Sequence, residues 1–309
     1  MYTHIPVLLN EVLDLLDPQT DQNFVDATLG GAGYTQALLK ASAPSGKVMA
    51  IDLDDVALQN ARQQVDSQRL TLVHGNFRDI DHAVVTHDFQ NISGIVADIG
   101  LSSFQLDESG RGISFQKEEL LDMRFDQSSQ DPDARFLLNH RTSAELAEIF
   151  RKYSEDKHSS KIAANIIRAR ENDPLKFTTE LIAIIQDSLP KPEKHRWTDT
   201  ARRIFQALRI EVNHELANLE AFVPKAFDIL APGGRLAIVT FHSLEDRIVK
   251  NYFRELTTGC ICPKEFPICK CGRTPQGKLI TKKAVGPAEE EQSSNPRSKS
   301  AKLRVIQKI

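Results

Sequence analysis

The stretch Asn23-Phe-Val-Asp-Ala-Thr-Leu-Gly-Gly-Ala-Gly-Tyr34, followed by Lys47-Val-Met-Ala-Ile-Asp-Leu-Asp54, decides the fold. It reads as a buried strand, a glycine turn, a helix and a second strand that ends in an acid. Glycines at 30, 31 and 33 let the backbone leave a strand sharply and come close to a ligand, because no side chain intervenes. Asp52 stands 22 residues after Gly30, close to the roughly 20-residue offset at which a carboxylate accepts hydrogen bonds from ribose hydroxyls. The pattern predicts a nucleoside-holding turn, with a ligand-free strand-to-helix turn as the plainer alternative. Gly-Gly-Ala-Gly is not G-x-G-x-x-G, so nothing here is spaced to cradle a pyrophosphate.

Working outward, short apolar or β-branched runs predict strands at 24–27, 47–52, 70–74 and 92–99, separated by helix-like segments such as Asp54–Val65. Strands alternating with helices imply right-handed crossovers and an α/β, doubly wound sheet. After Gly100 the pattern changes. Between about Asp107 and Arg203 come amphipathic helices opened by Thr142-Ser143, Ser159-Ser160 and Thr178-Thr179, residues suited to N-caps. This predicts an inserted all-helical domain at 107–203, with 1–106 and 204–309 forming the core. The core resumes with a helix through Leu216, Leu219, Phe222 and Phe227, halts at Pro232-Gly-Gly, and continues as a strand over 235–242. Residues 301–309 alternate at period two, as a C-terminal antiparallel strand does, and 284–300 reads as a surface loop.

At 309 residues the chain suits one core with a large insertion, or two domains. The start of the chain is not basic and Asn10-Glu11 cuts its apolar run, so no secretory signal is expected; no apolar run of 18 residues occurs, so neither is a membrane span. A soluble, cytoplasmic protein is expected. Net charge of −3 hides an asymmetry: residues 1–139 hold 21 acidic against 9 basic side chains, the rest 21 against 30. Basic density peaks at Lys191, Lys194, Arg196, Arg202, Arg203 and Arg209, and again at Arg297, Lys299, Lys302, Arg304 and Lys308. These are candidates for phosphate contacts, with solvated helix faces as the alternative.

The segment Ile95-Val-Ala-Asp-Ile-Gly-Leu-Ser-Ser-Phe-Gln105 ends the fourth strand, where a doubly wound sheet opens its ligand crevice. Asp26-Ala-Thr-Leu-Gly30 resembles the first motif of class I S-adenosylmethionine-dependent methyltransferases, and with His4-Ile-Pro-Val-Leu8, the runs 107–115 and 121–124, Thr200 to Asn213, Gly233 to Arg247 and Asn295 to Arg304 the segment 95–105 resembles the bacterial small-subunit (16S) ribosomal RNA cytosine-N4 methyltransferase family, nearly end to end. The resemblance implies a class I methyltransferase Rossmann-like sheet, S-adenosyl-L-methionine as cofactor, and 16S ribosomal RNA or the small ribosomal subunit as partner; a homodimer is allowed. The family's cofactor pattern falls on the glycine turn (Gly30, Ala32, Gly33, Tyr34) and on Asp52, Phe77, Asp98 and Gln105. Where the family usually has Gly-His-Ser, this chain has Gly33-Tyr34-Thr35. A backbone contact survives that change; one made by the His side chain does not.

The implied reaction moves a methyl group from a sulfonium to the exocyclic amine of a decoding-centre cytidine. That amine is a poor nucleophile because its lone pair is conjugated into the ring. In-line positioning is needed, together with an acceptor that hydrogen-bonds the amine, and no covalent nucleophile. Asp98, with Ser102 and Ser103 or the carbonyls of that loop, is the expected catalytic group. Arg202, Arg203, Arg209 and His242 are expected against the RNA. His242-Ser243 resembles part of a hydrolase triad only in sequence, since triad members converge from separate elements; Ser243-Leu-Glu-Asp246 instead reads as a capping box, with Glu245 structural. A methyltransferase acting on another nucleic acid or on protein, and less so a nucleotide-dependent oxidoreductase, are the competing readings.

All four cysteines lie in Cys260-Ile-Cys262 and Cys269-Lys-Cys271. Four thiols gathered in one loop of a cytosolic chain suggest a structural zinc ion; four reduced thiols in a turn are the alternative.

Overall fold

The structure, a computed structural model, describes residues 6–65, 67–101, 110–263 and 268–309. The chain divides into two compact units, residues 1–100 with 216–309, and residues 101–215. In chain order the first unit opens with α1 (Leu9–Leu16), β1 (Asn23–Asp26), α2 (Gly33–Ala41), β2 (Val48–Asp52), α3 (Asp55–Gln64), β3 (Leu70–His74), α4 (Ile80–Thr86) and β4 (Ile92–Asp98). The helical unit holds α5 (Ala134–His140), α6 (Ser143–Ser154), α7 (Ser159–Arg170), α8 (Thr178–Ser188) and α9 (Trp197–Asn213). The first unit then resumes through α10 (Glu215–Asp228), β5 (Leu230–Thr240), α11 (Ser243–Thr257), β6 (Gly277–Leu279), α12 (Glu289–Ser294) and β7 (Lys302–Lys308).

The sheet has seven strands in the order β3-β2-β1-β4-β5-β7-β6. β1 to β5 are parallel, and β7 runs antiparallel between β5 and β6. This is the Rossmann-like class I methyltransferase sheet with its reversed C-terminal strand. The order reverses at β1, which starts the chain outward toward β3 and later sends it back through β4. A crevice therefore opens beyond the carboxyl ends of β1 and β4. Helices bury apolar side chains on both faces of the sheet: Ile80, Leu219, Phe222, Phe227, Val249 and Phe253 in one core, Val12, Leu16, Tyr34 and Leu38 in another. That two-sided burial is why the parallel strands read as unbroken apolar runs rather than alternating ones.

Several details depart from the sequence expectation. β5 begins at Leu230, which already pairs with Ile92; Gly94 then pairs with Arg235, so Pro232-Gly-Gly is a bulge within the strand rather than a break before it. β6 is an edge strand of three residues, too short to leave a periodicity. The segment expected as a plain loop at 284–300 contains α12 and a 3-10 turn.

In the helical unit, Leu138, Leu146, Phe150, Ile162, Ile166, Leu181, Ile185, Ile204 and Leu208 form a core of their own. Its boundaries fall at 100/101 and 215/216 rather than at 106/107 and 203/204. On the C-terminal side the reason is α9, an unbroken 17-residue helix whose Ile204, Phe205 and Leu208 belong to the helical core. Thr142 caps α6 in a capping box with Glu145, as expected. The caps of α7 and α8 are displaced by one residue. His158 and Phe177 hold the N-cap positions, Ser159 donates to the Asp156 carbonyl at 2.6 Å, and Thr178 donates to the Lys117 carbonyl at 2.7 Å. Glu180 takes over the capping of α8 by accepting the N–H groups of Lys176 and Phe177 at 2.6 and 2.8 Å. No described helix is long and apolar enough to cross a membrane.

Candidate functional site

Three adjacent parallel strands, β2, β1 and β4, each end in an aspartate: Asp52, Asp26 and Asp98. A strand end is where backbone groups lose their ladder partners, so a short acceptor side chain there serves either the next turn or a ligand. Here they serve both. Asp52 Oδ2 accepts the Gly30 N–H at 2.8 Å and Oδ1 accepts the Asp54 N–H at 2.8 Å, which ties the glycine turn to β2. The Leu53 N–H also bonds to this carboxylate, and of its about four lone-pair sites roughly one stays open toward a ribose hydroxyl. Burial pushes Asp52 up to about 6, against the lowering effect of those N–H groups.

Asp26 is fully buried, accepts the Thr35 hydroxyl at 2.6 Å and the Thr28 N–H at 3.3 Å, and is pushed up to about 7, mainly by burial. The sequence pattern marks Asp26 only as part of a motif and assigns its side chain no role. Its signal is Thr35, nine residues on and in the first turn of α2, placed to donate back to β1.

Asp98 completes the row. Its N–H donates to the Thr28 hydroxyl at 2.7 Å and its Oδ1 accepts the Gly100 N–H at 2.9 Å. Among the described residues Oδ2 takes part in no hydrogen bond that would occupy it. Burial, and secondarily the Glu245 carboxylate, push Asp98 up to about 7. Gly100 is required by space: a Cβ there would lie 2.5 Å from Phe241 Cε2 and 2.9 Å from Asp98 Oδ1.

The glycine turn differs from expectation at two places. Ala32, the N-cap of α2, takes a left-handed backbone (φ 62), a conformation an alanine adopts only when its surroundings enforce it. Gly33 has no room for a side chain, since a Cβ would sit 2.1 Å from Pro6 Cγ. Tyr34 is buried and its hydroxyl donates to the Val7 carbonyl. Its side chain thus fastens the N-terminal segment over α2 and is spent there, which leaves only its backbone for a ligand. Phe77 is half-buried and packs edge-on against Phe222, ring centres 5.1 Å apart, and could present an apolar wall beside a base. Ser102, Ser103 and Gln105 lie outside the described residues.

His242, rather than Ser243, is the N-cap of α11, and the box closes with Glu245 rather than Asp246. Glu245 is buried and accepts the N–H groups of Phe241 and His242 at 2.8 and 3.2 Å; its Oε1 lies 2.8 Å from His242 Nε2. Asp246 instead pairs with Arg304 at 2.6 Å. The His242 ring is turned onto Glu245, and Glu245 in turn acts on Asp98 through its charge.

The cations expected to meet phosphate divide sharply. Arg202 is exposed, beside Asp199 at 3.2 Å. Arg203 pairs with the buried Asp156 at 2.9 Å. Arg209 is a correction: nearly buried, it forms a two-pronged pair with Glu215 at 2.7 and 2.9 Å and is a strut of the helical unit. In the C-terminal segment Arg304 and Lys302 face Asp246, and Lys308 donates to the carbonyls of Asp228 and Leu230. These side chains tie β7 to the neighbouring helix and to the start of β5. Two stretches that the sequence singled out far apart meet within the helical unit, where the Asn213 side chain accepts the Phe125 N–H and donates to the Met123 carbonyl, both at 2.8 Å. The four cysteines also converge, their sulfurs all within 4.8 Å of one another.

Comparison with known proteins adds to this geometry. Residues 1–309 match the model of the MraW methylase family. The chain is 45% identical over 310 residues to the Ribosomal RNA small subunit methyltransferase H of Geobacter sp. (strain M21), covering 100% of this chain and 99% of the relative. It is 44% identical to the proteins of the same name from Heliobacterium modesticaldum, over 312 residues, and Clostridium botulinum (strain Loch Maree / Type A3), over 309, with the same coverage in each case.

Proposed function

The chain belongs to the MraW methylase family, and from that premise we propose that it transfers a methyl group from S-adenosyl-L-methionine to the N4 amine of a decoding-centre cytidine in 16S ribosomal RNA. The observation that carries the substrate is the end-to-end identity with relatives named for methylation of small-subunit ribosomal RNA. The chemistry is supported by the row of three strand-end aspartates beside the glycine turn.

The residues present fit the cofactor. Asp52 keeps acceptor capacity for a ribose hydroxyl after holding the N–H groups of Gly30, Leu53 and Asp54. Phe77 offers an apolar surface for adenine. When bound, the cofactor supplies a methyl group on a cationic sulfonium, a charge that favours a partly buried carboxylate nearby. Asp98 then holds the target amine. Its Oδ2 accepts an amine N–H, which draws the nitrogen lone pair out of conjugation and aims it; as the N–CH3 bond forms, the S–CH3 bond would break with its electron pair left on a neutral thioether, and the surplus amine proton would pass to Oδ2. Gly100 and Glu245 act as positioning residues, the first through its N–H on Oδ1, the second through its charge. Ser102, Ser103 and Gln105 belong to this proposal on the strength of the resemblance alone. Exposed Arg202, with Arg203, would contact RNA phosphates without reading sequence.

The test is incubation of the purified chain with methyl-labelled cofactor and, separately, small ribosomal subunits, free 16S RNA, transfer RNA, duplex DNA and protein. Label recovered as N4-methylcytidine from the 16S RNA, as subunit or as free RNA, supports the reading. Label in DNA or protein, or on another atom of the base, refutes it.

A further inference from the structure

Residues 258–276 link α11 to β6, and among those described none is buried. Ile261 and Ile268 are 60% and 72% exposed. A segment with no apolar core must be held by something else. Its base is fixed to α11: the Gln276 N–H donates to the Leu256 carbonyl at 2.8 Å, and Arg273 donates to the Glu255 carbonyl at 2.7 Å. Farther out, among the described residues, the four cysteines draw together. Sγ of Cys271 lies 3.6 Å from Sγ of Cys269 and 3.8 Å from Sγ of Cys260. A disulfide needs about 2.05 Å, and all four thiols are free. Four thiolates about 2.3 Å from a central tetrahedral ion stand about 3.8 Å apart; these two separations match that spacing, and all four sulfurs lie within 4.8 Å of one another.

Main-chain donors point the same way. The Lys270 N–H is directed at Cys262 Sγ at 3.3 Å and the Ile261 N–H at Cys271 Sγ at 3.5 Å. Each arm thereby offers an N–H to a sulfur of the other, as groups that stabilise metal-bound thiolate charge do.

We propose that Cys260, Cys262, Cys269 and Cys271 bind one zinc ion as a closed tetrathiolate site that ties the arms Gly259–Cys262 and Cys269–Gly272 together. Four sulfur ligands leave no open position, so the ion is structural, and its binding releases the thiol protons to solvent. The site uses no residue of the methyl-transfer chemistry.

The experiment is elemental analysis of the full-length chain purified without chelator, together with cobalt(II) replacement. One zinc per chain and, with cobalt, intense tetrahedral absorption with thiolate charge transfer are expected. Cys269→Ser/Cys271→Ser should lower bound metal at least tenfold. Because that variant could misfold, protease cleavage between 258 and 276 is also measured in the wild-type chain; removal of zinc should accelerate it at least tenfold, and added zinc should restore resistance. Absence of stoichiometric metal with no cobalt charge transfer, iron in place of zinc, or an intact mass showing disulfides would overturn the proposal.

Discussion

Replacing Asp98 by Asn should make the empty protein more stable at alkaline pH while removing its activity. Asp98 titrates at about 7 in the fold against 3.8 for the unperturbed group, chiefly because burial disfavours its charge. Between those values the native state holds a proton that the unfolded state has lost, so stability falls as pH rises. Each pKa unit is worth about 1.4 kcal/mol, and from pH 5 to pH 8 this carboxyl therefore removes about 3 kcal/mol of stability. Asn carries no charge at either pH and its oxygen can still accept the Gly100 N–H. Any constant cost of the substitution cancels when the two pH values are compared. The stability of Asp98→Asn relative to wild type should thus grow by about 3 kcal/mol between pH 5 and pH 8, roughly 5 °C in melting temperature, as read by urea and thermal unfolding without cofactor. Methyl transfer should fall about 100- to 1,000-fold, the loss typical of removing an aimed transition-state contact. A pH-independent difference, or a variant that is relatively less stable at pH 8, would refute the assignment of a partly buried, electrostatically costly carboxylate.

Asp52→Ala should weaken cofactor binding about 100-fold by calorimetry, since hydrogen bonds to a charged acceptor are worth about 1.5–3 kcal/mol each, with little change in RNA affinity. Gly100→Ala should cost about 1–3 kcal/mol in unfolding experiments by overpacking against Phe241 and Asp98, and should lower turnover more than it lowers cofactor affinity. Arg202 and Arg209 should part company. Arg209→Ala leaves Glu215 buried without its partner and should destabilise the helical unit by about 3–5 kcal/mol. Arg202→Ala should leave stability within about 0.5 kcal/mol and reduce the salt dependence of RNA binding by about one phosphate contact.

The parallel strands were legible because burial on both faces leaves apolar runs, and the acids that close β2 and β4 stand out against them. Asp26 closes β1 in the same way, yet its role appears only when Thr35 is seen to reach back to it. The Arg209–Glu215 pair was not legible. It spans the left-handed turn at His214 between two helices, and no regular spacing predicts a contact there. Tyr34 looked like a substituted ligand contact, whereas its hydroxyl serves the Val7 carbonyl; a buried tyrosine needs a partner, and sequence does not say which. The cap positions slipped by one because His158 and Phe177 hold the N-caps in place of the hydroxyl residues beside them. The cysteine spacing suggested a metal, but only the convergence of the four sulfurs distinguishes a site from a turn.

The central claim is most directly tested by mass mapping of modified nucleosides in 16S ribosomal RNA from cells lacking this gene, and from the same cells supplied with the wild-type or the Asp98→Asn chain. Loss of an N4-methyl group on a decoding-centre cytidine, restored by the wild-type chain and not by Asp98→Asn, is the expected result. An unchanged modification map in the deletion strain would contradict the account.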